Sequence, residues 1–472
     1  MNHSPYPLCQ PVPEWRKGCS LVQCLHVFKH LLQQTQLKLE IEKAGLNFYD
    51  RLFTPTVTLW CMIFQRLNHD HTLQAAVCDL ESGGADGLVS KKGRPPSEVI
   101  RTLSTAAFSK ARKRSPLALF AAVLLAQGKH VWSELRDGRW HGLRVLLLDG
   151  TQISLRPHPG ISEHFTSFSN QNGRGYWVPM RVVATFCLHT GIVVASAADS
   201  WVVPEQTLAR RQFLKDLAGC LYLGDRNFGV FQMVQCVLQA HAHCLFRMTA
   251  SRAAKVAGSS SLLLRPGDYS VSWRPSRDDL KVDGCQKEAI SGRLIVAQYA
   301  RPGFRPRWIY LFTTLLAAST YTAEELVELY AERWQVELDL RYLKAQMDLT
   351  QLECKTKDMA EKEWLAGLMA YNLVRVVMAA AATARGLSPS KLSFSAARRL
   401  LVRWLSTVSP KTSLLPSWRK LLKSVARARL PSRKKQRPPE PRAKRHKGEP
   451  FPPLRGSRSV AHENVRINNL KS

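Results

Sequence analysis

The spacing of apolar positions divides the chain into stretches of different period. Residues 18–45 and 53–80 repeat apolar positions at helical spacing, so the region up to about residue 140 is expected to be mostly helical. ESGGADGLVSKKGRPP (81–96) interrupts it and predicts a loop by its Gly, Pro and Lys content. The following stretch, residues 97–116, predicts a helix of small apolar residues that also carries Arg101, Lys110, Arg112, Lys113 and Arg114.

The period changes at Arg144. RVLLLDGTQISL is an apolar run short enough for a buried strand, and it delivers Asp149 at its end. An Asp closing a strand is also a common turn former. Two further strands follow in 176–201, joined by a turn at His189, Thr190 and Gly191. Residues 204–219 predict a helix that stops at Gly219. CLYLGD is the next strand, with Asp225 at its tip, and RNFGVFQMVQCVLQAHA leads into a helix. After a strand at 243–249, residues 250–308 lose helical periodicity and fill with Gly, Ser, Pro and short β-like runs such as YSVSW and RLIVAQYA. The order of strand, hairpin, helix, strand, helix is the ribonuclease-H-like layout, in which the first and fourth strands lie side by side and bring two aspartates together.

Thr322 to Leu349 reads as one long helix without Gly or Pro, with Thr322 as N-cap and Glu325 completing a capping box. At about 100° per residue, Tyr330, Arg333, Glu337, Arg341 and Lys344 fall within roughly one sixth of its circumference. Leu329, Val336, Leu340 and Leu343 make the neighbouring apolar stripe and the expected core face. Glu and Arg at this spacing often form no more than a salt-bridged surface. Beside a buried stripe they also suit a metal-ligating carboxylate flanked by phosphate-gripping bases. A further helix opens at Asp358 and Glu361, is apolar almost all round, and is stopped by Gly386. From about Ser409 the chain becomes basic and Pro-rich, the pattern of a disordered or loosely helical tail.

Charge narrows the function. A formal charge of +32 and a pI near 10.1 point to a polyanion, either nucleic acid or an anionic membrane surface. No apolar run is read as reaching the ~20 residues that span a bilayer, and the N-terminus lacks a signal-peptide pattern, so nucleic acid is the expected partner, with no membrane. The 11 cysteines form no Cys-x-x-Cys, which fits reduced thiols rather than a zinc site or a disulfide framework.

The string Tyr330-x-x-Arg333-x-x-x-Glu337-x-x-x-x-x-x-Lys344 resembles the signature of DDE transposases of the bacterial insertion-sequence-4 family. Asp149-Gly150-Thr151 and Asp225-Arg226-Asn227-Phe228 look like that family's first and second acidic blocks. The resemblance covers roughly residues 145–375. It implies an α/β, ribonuclease-H-like catalytic core, in two parts at 141–249 and 309–390, separated by a β-rich insertion at 250–308. A helical DNA-binding region would occupy 1–140, and a C-terminal helix with a basic tail 391–472.

The implied chemistry is cut-and-paste DNA transposition, with cleavage and strand transfer at terminal inverted repeats. Asp149, Asp225 and Glu337 would hold two Mg²⁺ ions, with Mn²⁺ able to substitute. Arg333 and Lys344 would hold phosphates and Tyr330 would position the strand. Arg226 would either contact DNA or serve as a structural partner of Asp225. Trp308 would receive a base flipped out during hairpin formation, or else pack in the core, with Trp273 as the alternative aromatic. Implied partners are double-stranded DNA at transposon ends and target, and a second copy of the chain in a homodimer or larger assembly. The implied location is the bacterial cytoplasm, at the nucleoid. Two rival readings stand beside this one, a catalytically inactive or domesticated DNA-binding protein of the same fold and an RNA-associated basic protein. The intact acidic trio weighs against the first, and the absence of an aromatic-basic RNA motif in residues 1–140 against the second.

Overall fold

The computed structural model describes residues 52–86, 94–134, 138–170, 173–212, 218–258, 261–299, 307–407, 414–431, 457, 459–460 and 463. The helix expected at 18–45 and most of the basic tail lie outside these residues.

The first elements are helices: α1 (Pro55–Leu67), α2 (Leu73–Glu81), α3 (Ala106–Arg114) and α4 (Leu117–Glu134). Thr54 and Thr72 cap α1 and α2 with their hydroxyls. The single helix expected over 97–116 is instead a short turn at Pro96–Val99, an extended link, and α3. Arg112 does not face outward as a DNA-binding cation. It is buried and paired with Glu363, which also holds Arg66 of α1 at 2.6 Å. Two guanidinium groups around one carboxylate satisfy a charge that burial would otherwise make costly.

The central sheet has ten strands. They are β1 (Arg144–Leu155), β2 (Val178–Cys187), β3 (Val193–Ser200), β4 (Cys220–Gly224), β5 (His243–Met248), β6 (Leu262–Arg265), β7 (Asp268–Trp273), β8 (Ile290–Tyr299), β9 (Arg307–Thr313) and β10 (Gln351–Leu352). The order across the sheet is β3-β2-β1-β4-β5-β9-β8-β7-β6, with β10 beside the far end of β1. β1, β4 and β5 run parallel and β2 runs antiparallel to β1. Both faces of these central strands are covered, which is why VLLL and CLYL read as continuous apolar runs. β9 pairs antiparallel with β5, so the β-rich stretch after β5 extends the same sheet.

Among the described residues the remaining helices longer than one turn are α5 (Glu205–Arg210), α6 (Phe231–Gln239), α7 (Ala250–Ala257), α8 (Ala323–Ala331), α9 (Gln335–Arg341), α10 (Lys357–Thr383), α11 (Phe394–Thr407) and α12 (Leu414–Arg427). α7 corrects the expectation that helical character ends at residue 249. Thr249 caps it and Gly258, at φ +45°, ends it, within a run too short for its apolar spacing to register.

The core is organised on α10, which packs against α1, α4, α11, α12 and β3. Its cap is Thr356, which accepts from the Met359 amide, so the helix starts before the position expected from the acidic residues. Gly386, at φ +60°, ends it in a Schellman turn, with the Leu387 amide donating to the Ala382 carbonyl. By length and composition α10 could cross a membrane, contrary to the sequence reading, but its apolar window is entirely buried inside the protein. The chain beyond Ser409 also holds more structure than its composition suggested. α12 packs on α10 and α11, with Trp418 against Trp404 at 5.4 Å between ring centroids. Its apolar face finds a partner that only the fold supplies.

Candidate active site

Two aspartates are brought together by strand register. β1 and β4 pair in parallel from Arg144↔Cys220 to Leu147↔Leu223, and the same offset places Asp225 opposite Asp149. Neighbouring strands are about 4.8 Å apart. β4 ends at Gly224, whereas β1 continues to Leu155 against β2, with Asp149 opposite Ala184. Asp149 therefore lies in mid-strand rather than at the end of β1, at the point where its neighbour on one side runs out. The β2 ladder keeps the backbone extended past it, which an apolar run followed by Asp-Gly does not reveal.

The local turns fix both carboxylates. Asp149 Oδ1 accepts from the Gly150 amide at 2.9 Å, and Asp225 Oδ1 accepts from the Asn227 amide at 2.8 Å. Burial pushes the Asp149 carboxyl up to about 6. The Gly150 hydrogen bond and Arg333 oppose that rise, and the charges of Asp225 and Glu205 add to it. Burial is the main reason this carboxyl is held above its ordinary range.

The third arm comes from the acidic helical segment. Thr322 and Glu325 form the expected capping box, and Leu329, Val336, Leu340 and Leu343 are all buried as expected. The rod is not one uninterrupted α-helix. α8 passes through a 3₁₀ turn at Glu332–Trp334 into α9, and a π turn follows at Tyr342–Gln346. No residue type in these stretches forbids α geometry. The 3₁₀ turn carries Arg333, and the regular α9 segment between the two changes carries the buried Asp339.

Arg333 joins the arms. One guanidinium nitrogen is 3.9 Å from Asp149 Oδ2 and the other 3.3 Å from Glu337 Oε1. Burial works against its charge, but Tyr330, Asp149, Asp225 and Glu337 outweigh it and raise its proton affinity. Glu337 itself is open, its side chain 42% exposed. Tyr330 is buried, its hydroxyl pushed up to about 12 by burial and making no hydrogen bond of normal geometry.

The other candidates are not drawn into this cluster. Lys344 is half-buried in the π turn, where burial lowers its proton affinity, and it forms no ion pair among the described residues. Arg226 is exposed and makes no ion pair with Asp225 among the described residues, so the role of structural partner finds no support. Trp308 stands out from β9, 58% exposed, and so is not the core residue of its alternative reading. Trp273 is the core residue instead, 7% exposed and packed edge-on against Phe231 and Phe312.

The donor set is purely carboxylate, which suits a hard divalent cation such as Mg²⁺ or Mn²⁺. Among the described residues no three side chains are close enough to enclose one ion. The Arg333 guanidinium stands between Asp149 and Glu337, a positive charge where the carboxylates need one.

Two features escaped sequence reasoning. One is Glu205 at the start of α5, which accepts from Asn227 Nδ2 at 2.6 Å and abuts Gly150. The other is Asp339, fully buried and bound to Arg375 and to the Tyr371 hydroxyl of α10. A charged pair 36 positions apart leaves no mark in local periodicity.

The family described as Transposase DDE domain matches residues 140–373. The transposase InsG for insertion sequence element IS4 of Escherichia coli (strain K12) is 25% identical over 403 residues, covering 84% of this chain and 86% of that protein. Among solved structures, the piggyBac transposase synaptic complex with hairpin DNA overlaps 88% of this chain and 84% of its own at a TM-score of 0.38 and 11% identity.

Proposed function

This chain belongs to the DDE transposases of the insertion-sequence-4 family, and we propose that Asp149, Asp225 and Glu337 form its catalytic centre. As an insertion-sequence transposase it is a divalent-metal-dependent enzyme that cleaves DNA and transfers the cut strand. The observation that carries the assignment is the register of β1 and β4, which sets Asp225 opposite Asp149, together with the Arg333 bridge from Asp149 to Glu337. We read the β3-β2-β1-β4-β5 half of the sheet as a ribonuclease-H-like core. On that reading residues 141–249 and 309–390 are its two parts, 250–308 its insertion, 1–140 a DNA-binding region, and 391–472 the C-terminal helices and basic tail.

Two Mg²⁺ ions, or Mn²⁺ in their place, would supply a nucleophile at neutral pH and neutralise charge on the attacking and leaving oxygens. Asp149 with Asp225 would hold one ion, and Asp149 with Glu337 the other. Arg333 would then leave the carboxylates and take a DNA phosphate through two parallel N–H donors. Lys344, free of ion pairs among the described residues, would add a second phosphate contact, and Arg226 a third. Tyr330, buried beside Arg333, would set the position of the cleaved strand. The DNA partner comprises transposon ends and target duplex, held by a homodimer or larger assembly at the bacterial nucleoid.

The test is end cleavage by Asp149→Ala, Asp225→Ala and Glu337→Ala. Each should abolish metal-dependent nicking of DNA bearing the inverted repeats while retaining binding to it. Near wild-type nicking by any one variant removes that residue from the centre.

A further inference from the structure

The ladder between β1 and β4 ends at Leu147↔Leu223, two residues before Asp149 on one strand and Asp225 on the other. Past that point no strand hydrogen bond ties the arm carrying Asp225 to the arm carrying Asp149. We propose that Glu205 is a positioning residue that supplies this missing tie, holding the Asp225 turn in place through Asn227.

Four contacts carry the inference. Glu205 Oε2 accepts from Asn227 Nδ2 at 2.6 Å, and the Asn227 amide in turn donates to Asp225 Oδ1 at 2.8 Å. Gln206, the next residue of α5, donates from Nε2 to the Asn227 carbonyl at 2.7 Å, so two consecutive side chains clamp one residue of the turn. On the other side, Glu205 Oε1 reaches the arm of Asp149. A Cβ at position 150 would lie 2.7 Å from that oxygen, so the carboxylate sits directly against Gly150. Glu205 thus spans both aspartate-bearing segments from a third element, and α5 is itself anchored by the buried Leu208 and Ala209. Partners of this kind, which orient a ligand without binding the metal, typically contribute 10–100-fold to metal affinity. The inference rests on Asp149 and Asp225 being the metal-holding pair.

The experiment uses the full-length protein, with Mn²⁺ binding followed by the electron paramagnetic resonance signal of the free ion and Mg²⁺ dependence followed by end nicking. Glu205→Ala should weaken Mn²⁺ binding and raise the Mg²⁺ half-saturation concentration by about tenfold, while the maximal nicking rate falls by less than about threefold. Glu205→Gln keeps an oxygen acceptor for Asn227 and should restore both quantities to within about threefold of wild type. Asn227→Ala should reproduce Glu205→Ala, and it carries the test alone if Glu205→Ala fails to fold. Asp225→Asn is the control for the underlying assignment, and unchanged Mn²⁺ binding in that variant refutes the metal-holding pair itself. If Asp225→Asn weakens binding but Glu205→Ala and Asn227→Ala do not, the positioning role is overturned. Equal damage by Glu205→Gln and Glu205→Ala overturns it as well, because the charge rather than the tie would then matter.

Discussion

Replacing Asp339 by Ala removes the only carboxylate paired with Arg375 among the described residues, deep inside the protein. Both side chains are almost fully buried, at 0% and 3% exposure. Arg375 keeps contacts to the Tyr371 hydroxyl at 2.9 Å and the Gly191 carbonyl at 3.4 Å, and its guanidinium lies over the rings of Tyr342 and Tyr371. None of these neutralises its charge. Breaking a buried pair on one side costs about 3–5 kcal/mol, because the remaining ion cannot regain its hydration. For a domain of this size that lowers the melting temperature by about 4–6 °C. Asp339 is also two residues past Glu337 on α9, and its bond to α10 fixes the turn that presents the glutamate. End cleavage should therefore fall together with stability. The assay is urea and thermal unfolding of wild type, Asp339→Ala, and the double variant Asp339→Leu with Arg375→Met. The double variant should recover most of the loss, since two apolar side chains need no pairing. A single-variant loss below about 1 kcal/mol, or a double variant no better than the single, would refute the reasoning.

Two further outcomes are expected. Burial, with help from Asp199 and Asp358, pushes the Glu361 carboxyl up from 4.5 to about 7 despite Lys357 and Arg211. The folded state then binds its proton more tightly than the unfolded chain, so this group costs stability progressively as pH rises from about 4.5 to 7, by about 3 kcal/mol at most. Glu361→Gln should melt higher than wild type at pH 8 and match it at pH 4.5, and equal melting temperatures at both would contradict the assignment. Trp308, exposed on β9, is expected to hold a base unstacked during hairpin formation. Trp308→Ala should leave nicking intact while slowing the hairpin step by about tenfold, or 1.4 kcal/mol of barrier, whereas joint loss of both steps with a lower melting temperature would mark a packing role.

Much of this protein is fixed by local order along the chain. Apolar runs such as VLLL and CLYL place the central strands because a strand buried on both faces needs little else. The capping box at Thr322 and Glu325 and the apolar stripe of Leu329, Val336, Leu340 and Leu343 place the acidic helix, since both depend on neighbours within a turn or two. The residue types of Asp149, Asp225, Arg333 and Glu337 at their spacing were enough to suggest the chemistry. Only the tertiary structure decided which of the basic residues are available, for Arg112 spends its charge on Glu363 while Lys344 has no such partner among the described residues. It also decided that Trp308 is open and Trp273 closed, that Asp149 lies in mid-strand, and that the acidic helix changes pitch twice. Glu205 and Asp339 belong to the same class. Their partners, Asn227 and Arg375, are distant in sequence, and a hydrogen bond or ion pair across such a separation exists only once the sheet and α10 have brought its two ends together.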